Sequence, residues 1–402
     1  MKSEFPIYKL SDLAEIQTGP FGSQLHKEDY VNQGTPIVTV EHLGNKNFSE
    51  QDLPHVSDKD KERLKKYILK TGDIVFSRVG SVDRCSYVNQ RYDGWMFSGR
   101  CLRVRPGKLL NAEYLYYFFL LNSTKQFVRN IATGATMPSI NTKFMGEVPV
   151  AVPPLDVQER IVNVLRDLDD KIQLNIEVNK NLSAQIEALL LAYLDNEDAL
   201  PVKLGDYLYI KGRIGWKGLK KSEYLPQSGY RIINGETLTQ SGIDWNKAGY
   251  ISEERYVESP EIMLKVGDIL LSKDGTIGKI GYVDSLELPT SVASGIFVIR
   301  NTKPDIISTT FIYYLLKSRL FTSFIAARTE GSVIPHLYQK DFMEFEFPLP
   351  TAEKMADFEE ITEPMFSQII NNLNENKRLA LLRDSLLPKL MSGEIDVSGI
   401  EL

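Results

Sequence analysis

Cysteine and histidine are scarce in this chain: two cysteines, Cys85 and Cys101, and four scattered histidines, His26, His42, His55 and His336, in 402 residues. None stands in a C-x-x-C or H-x-x-x-H spacing, so neither a zinc module nor a disulfide scaffold is expected, and no metal site. Long apolar runs are missing too. The longest, around Tyr114 to Leu121 and Ala188 to Leu194, fall far short of the roughly 18 residues that a membrane span needs. The opening MKSEFPIYKL has no signal-peptide core, and a cytoplasmic protein is expected. Catalytic signatures are absent as well. GTIGKI at Gly275 has too few residues before Lys279 for a phosphate-binding P-loop, and GRIGWKG at Gly212 is not G-x-G-x-x-G. No G-x-S-x-G elbow occurs. The one E-x-K, Glu375 to Lys377, lies on a helical stretch without the strand that a nuclease core requires.

What is present is ordinary globular composition, 43% hydrophobic and 25% charged, with room for two or three domains. The net charge of −6 is unevenly spread. Residues 1 to 154 carry 20 Lys and Arg against 16 Asp and Glu, and residues 200 to 350 carry 18 against 17. Residues 155 to 199 hold 4 against 10, and residues 351 to 402 hold 5 against 10. The acid therefore sits in two connectors, and the mildly basic remainder is compatible with phosphate contact.

The second positive feature is duplication. KLSDLAEI at Lys9 returns as KLGDYLYI at Lys203, LKTGDIVFSRVGSVDRCSYV at Leu69 as LKVGDILLSKDGTIGKIGYV at Leu264, and TGATMPSI at Thr133 as EGSVIPHL at Glu330. In this alignment Cys85 faces Ile280 and Cys101 faces Phe297, so both thiols are expected as buried structural side chains. Each copy reads as mixed α/β. Segments such as GDIVFSRV and SGIFVIR have strand composition, and AEYLYYFFLLNSTKQFVRNIA and TTFIYYLLKSRLFTSFIAA read as one helix each.

Each copy ends in a proline-led helix, the first from Pro153 and the second from Pro348. The apolar seam of the first, Ile161, Leu165, Leu168, Ile172, Asn175, Asn179, Leu182, Ile186 and Leu189, steps by four and three, as in a coiled coil. Phe366, Ile369, Leu373, Asn376, Ala380 and Leu387 form a second seam, with a kink expected at Pro364. The expected division is globular domain 1–152, helix 153–196, globular domain 197–347 and helix 348–402. An antiparallel pairing with Asn179 set against Asn376 would match the seams, the asparagine pair penalising slipped registers.

The repeated strand-and-turn motif places Gly72, Asp73, Arg78, Gly80, Ser81 and Arg84 in correspondence with Gly267, Asp268, Lys273, Gly275, Thr276 and Lys279. Backbone N–H groups, a hydroxyl and two cations are common phosphate contacts on a duplex. The same pattern fits a hairpin with solvated cations, and the residues alone leave both readings open.

Over essentially its whole length the sequence resembles the specificity (S) subunits of type I restriction-modification systems. The resemblance rests on TGPFGSQLHKEDY after Gln17, GRIGWKGLKKSEY at Gly212, the G-D-I motif, the helix entry PPLDVQERI at Pro153 and LLPKLMSGEI at Leu386. The second helix entry departs from it, with Met355 standing where the first has Gln158. The resemblance implies a non-catalytic DNA reader with two target-recognition domains on double-stranded DNA, spaced by an antiparallel coiled coil. It also implies two modification subunits using S-adenosylmethionine and restriction subunits using ATP and Mg, with no cofactor in this chain. A scaffold that never touches DNA, or a DNA-binding protein working without such partners, is the competing reading. A fused enzyme would need an N-P-P-[FY] methyltransferase motif or a nuclease core, and neither is found.

If the two copies read different half-sites, shared residues suit phosphate positioning and divergent loops suit base readout. Arg78, Ser81, Arg84, Lys273, Thr276 and Lys279 are the shared candidates. Gln17, Ser23 and Lys27, then Arg213, Lys217 and Lys220, and Lys143, His336 and Lys340 by the turns near Met137 and His336, are the divergent ones.

Overall fold

The protein's computed structural model describes residues 5–22, 24–134, 136–195, 198–213, 218–239, 242–329 and 336–399, save the side chains of Lys27 and Thr329. The chain divides into two compact units, Met1–Gln173 with Asn376–Leu402, and Leu174–Glu375. Both boundaries fall inside long helices, Leu155–Leu194 of 40 residues and Ala352–Ser392 of 41. Each unit thus holds one globular part and a stretch of each helix.

In the first unit, strands Ala14–Thr18, Cys101–Pro106, Ile74–Ser77 and Cys85–Tyr87 form a four-stranded sheet in that order, with every neighbour antiparallel. Successive side chains on a strand point to opposite faces. Accordingly Ile74, Phe76, Leu102 and Val104 enter one apolar core while Val75 and Cys101 enter a second. Burial on both faces is why the run is continuously apolar. The second core is covered by another sheet, Tyr30–Val31, His55–Val56, Thr35–Val38 and Met96–Phe97.

The second unit repeats this plan with Leu208–Gly212, Ile296–Asn301, Ile269–Ser272 and Ile280–Tyr282. Here too Ile269 and Leu271 face one core, and Leu270 and Val298 the other. The strand registers refine the sequence alignment by one residue. Ser77 pairs with Cys101 as Ser272 pairs with Ile296, so Cys101 corresponds to Ile296 and not to Phe297. Both cysteines are buried and unpaired, and burial pushes each thiol up to about 12.

Each expected aromatic helix is in fact two. Ala112–Leu120 and Asn122–Ile131 break at Leu121, and Thr309–Lys317 and Arg319–Thr329 at Ser318, both in extended backbone. Asn111 and Ser308 cap the first of each pair by accepting backbone N–H bonds.

The two long helices run antiparallel within each unit. In the first, Arg383 donates to Asp169 at 2.8 Å and Asn376 to the Ile172 carbonyl at 3.4 Å. In the second, Asn175 donates to Glu375 at 2.7 Å, and Tyr193 meets Phe358 edge-on at 5.5 Å. Ile161, Val162 and Leu165 with Leu387, Leu390 and Met391 belong to the first unit's core. Ile186, Leu190, Phe358, Phe366 and Ile369 belong to the second's. The second helix passes through Pro364 without ending.

The direction matches expectation but the register does not. Asn179 meets Asn372, which donates to it at 2.8 Å, and itself donates to the Ile369 carbonyl at 3.2 Å. Asn376 instead reaches Ile172. On the second helix Asn372 is 4% exposed, while Leu373, expected in the seam, is 42% exposed. The inward stripe thus steps through Phe366, Ile369, Asn372 and Asn376, a drift that a 3.6-residue period permits and a strict heptad does not. Asn372 can be buried because its amide donates to Asn179 and its oxygen accepts from Gln368 at 2.7 Å.

Candidate nucleic-acid interface

The repeated motif begins with a glycine that its geometry demands: Gly72 and Gly267 have φ of 93° and 92°, a region unfavourable to side chains. The aspartate that follows is architectural. Asp73 is buried, accepts the Lys70 N–H at 2.8 Å, and takes two bonds from Arg105 at 2.6 and 2.7 Å. Asp268 does the same with Lys265 at 2.7 Å and Arg300 at 2.6 and 2.7 Å. Sequence reasoning missed Arg105 and Arg300. Their signal was present, since each follows its aspartate by the same interval, 32 residues.

The strand then enters a second positive-φ glycine, Gly80 at 73° and Gly275 at 67°. The turn is tied to the TGATMPSI and EGSVIPHL segments in both units. Ile140 donates to the Arg78 carbonyl at 3.0 Å and Leu337 to the Lys273 carbonyl at 2.9 Å. Isolated bridges Val79↔Ser139 and Asp274↔His336 complete the junction. Two stretches far apart in sequence thereby become one surface in each unit.

Of the shared cations, Arg78 lies 5.5 Å from the Phe21 ring centroid and donates to the Gly99 carbonyl at 3.2 Å. Lys273 lies 5.1 Å from the Phe297 ring. Arg84 donates to the Leu43 carbonyl, and Lys279 to the Gly235 carbonyl at 3.0 Å. These cations therefore also pin neighbouring loops. Ser81 and Thr276 are exposed on the turns, as are Lys143 and Lys340 on the short helices Thr142–Gly146 and Gln339–Met343. Lys220 is exposed, its backbone N–H bonded to Glu223 at 2.7 Å. Ser23, Lys217 and the side chain of Lys27 lie outside the described residues.

Two candidates are placed differently from expectation. Arg213 is 2% exposed, donating to the Val292 carbonyl at 3.1 Å and to Ser291 at 3.3 Å, so it fastens a strand end from inside. Burial, and next Arg255, hold its guanidinium below the usual range. Gln17 sits on strand Ala14–Thr18 opposite Arg103, and its side-chain oxygen is buried. Arg213 is therefore not offered to a partner on the surface, and Gln17 is half-buried.

The helix entry explains a further motif residue. Gln158 is buried, accepts the Asn111 N–H at 2.7 Å and donates to the carbonyls of Leu109 at 3.0 Å and Pro153 at 2.8 Å. Met355 at the second entry is equally buried but packs in the apolar core. Among the described residues, no group of acidic, histidine or cysteine side chains is placed to hold a metal ion, and no helix is long and apolar enough to cross a membrane.

Comparison with known proteins addresses what such a duplicated surface is for. The family model described as "Type I restriction modification DNA specificity domain" matches twice, over residues 2–188 and 196–382. The chain belongs to that family. The type I specificity family is one of targeting subunits, and DNA specificity is the role of this member. The chain is 23% identical to the type I restriction enzyme MjaIX specificity subunit of Methanocaldococcus jannaschii, over 99% of this chain and 95% of that one. It is 22% identical to the HindI specificity subunit of Haemophilus influenzae, over 96% and 100%. A crystal structure of the type I S subunit from M. genitalium shares the fold with a TM-score of 0.58, at 18% identity over 97% and 96% of the two chains.

Proposed function

We propose that this type I specificity subunit reads a two-part, asymmetric DNA sequence, each unit taking one half and the paired helices setting the unread gap. The observation that carries the reading is the duplication. Both units build the same glycine turn beside the same Asp–Arg pair with its carboxylate buried, while the side chains around that turn differ. A shared frame with divergent edges suits common phosphate positioning with separate base readout.

On this reading the chain supplies no catalytic residue. Two modification subunits would methylate adenine with S-adenosylmethionine, restriction subunits would cleave using ATP and Mg, and the assembly would act on chromosomal DNA in the cytoplasm. The test is sequencing-based mapping of adenine methylation in cells carrying this chain with its modification partners. A gapped two-part motif is expected. Methylation without any sequence motif, or none that depends on this chain, would overturn the reading.

A further inference from the structure

The two glycine turns share a backbone frame so closely that side-chain differences upon it stand out. Gly80 and Gly275 have matching positive φ, and the Arg78 and Lys273 carbonyls take the same bond from the facing segment. The bridges Val79↔Ser139 and Asp274↔His336 occupy equivalent places. In the first unit this place is chemically quiet. Val79 is apolar, and the Ser139 hydroxyl donates to the Thr133 carbonyl at 3.4 Å, so this place carries no ionisable group. In the second unit the same two positions carry a carboxylate and an imidazole in direct contact.

A carboxylate can only accept, so the proton in that contact belongs to His336 Nδ1, which donates to Asp274. The Tyr338 ring packs edge-to-face with the imidazole, with centroids 4.5 Å apart and planes at 67°. The ring is thus held from two sides while the pair remains partly exposed, with relative side-chain exposures of 34% for His336 and 40% for Asp274. In a neutral imidazole so fixed, Nε2 is an acceptor. Among base edges in the major groove, adenine N6 and cytosine N4 present donors, whereas guanine (N7 and O6) and thymine (O4) present acceptors without an amino donor, adenine adding its N7 acceptor. We propose that the Asp274–His336 pair is a base-reading element of the second unit, in which Asp274 fixes the tautomer and His336 Nε2 accepts from the amino group of an adenine or cytosine. The proposal rests on the bipartite reading above and assigns to one unit a readout that the other lacks at the same place.

The test is methylation mapping with the complete chain and its modification partners, comparing wild type, His336→Ala and Asp274→Asn. For His336→Ala, discrimination at a single position of one half-motif should fall by about tenfold, a single contact being worth the lower end of the range for base readout. The other half should be unchanged. Asp274→Asn keeps the shape of the site and, by donating its amide N–H to Nδ1, favours the Nε2–H tautomer. It should shift preference at that same position toward guanine or thymine, whose edges carry acceptors and no amino donor, and it carries the test if His336→Ala impairs folding. Two outcomes would overturn the proposal: an even loss of methylation at all sites, or full selectivity at every position in both variants. A wild-type chain giving no gapped motif would instead overturn the bipartite reading beneath it.

Discussion

At the scale of single residues, the most informative side chains are those that hold the reading surface in place. Asp73 and Asp268 are buried, and Arg105 and Arg300 are each 26% exposed, so these pairs lie between the surface and fully buried regimes. Asp73→Asn should cost the first unit about 2 kcal/mol, below the figure for a fully buried pair because Arg105 keeps some water. Urea unfolding followed by a first-unit probe such as Trp95 fluorescence checks this. Glu113 supplies a pH dependence. Burial raises its pKa, but hydrogen bonds from Arg166 and Lys46, with the charge of both, outweigh burial and hold the carboxyl below its ordinary value. A depressed carboxyl stabilises the fold fully above the ordinary glutamate pKa of about 4.3 and loses that contribution as pH falls through the lower folded value. Melting temperature should therefore drop with acidification in that window, and Glu113→Gln should flatten this part of the profile.

Some of this scale was legible in the sequence and some was not. The G-D-I motif marked a turn that is built alike in both units, because glycines at positive φ and a buried acid leave a repeated signature. Composition could not distinguish an arginine that faces solvent from one, like Arg213, that ends on a carbonyl inside. Burial depends on what packs over a residue from elsewhere in the chain. Met355 was visible as a departure from Gln158, but only the contacts explain it, since Gln158 satisfies three backbone groups that a thioether cannot.

At the scale of elements, Gln158 joins a helix entry to the loop before helix Ala112–Leu120. Gln158→Ala should destabilise the first unit by about 2–4 kcal/mol, because buried backbone groups left unsatisfied cost about 1–3 kcal/mol each and only part of the loss can be met by water. Thermal melts of the variant and of Met355→Ala would separate lost hydrogen bonding from lost packing. The helices themselves were readable as seams, and every seam position named on the first is buried or half-buried. The register was not readable, because exchanging Asn372 for Leu373 at the interface needs only a small rotation and depends on Gln368 and Asn179 to satisfy the amide. Replacing Asn179 and Asn372 together by leucine should raise the melting temperature by a few degrees, since an apolar pair replaces a buried polar one. Either single replacement should lower it, because Asn372 would lose the acceptor for its amide N–H or Asn179 the donor to its oxygen, which a double-mutant cycle would reveal.

For the whole molecule, the duplication was the clearest fact in the sequence, and the fold repeats the sheet that carries the turn strand for strand, while the covering sheet has four strands in the first unit and three in the second. Each unit has its own paired cores, its own glycine turn and its own stretch of both helices. The central claim is that two such units, built on one plan, read DNA independently. Mapping adenine methylation for a chimera whose residues 1–150 are replaced by the equivalent part of a relative tests this most directly. The account predicts a motif in which one half changes while the other half persists base for base. A chimera in which both halves change, in cells where the unaltered chain gives a two-part motif, would contradict it.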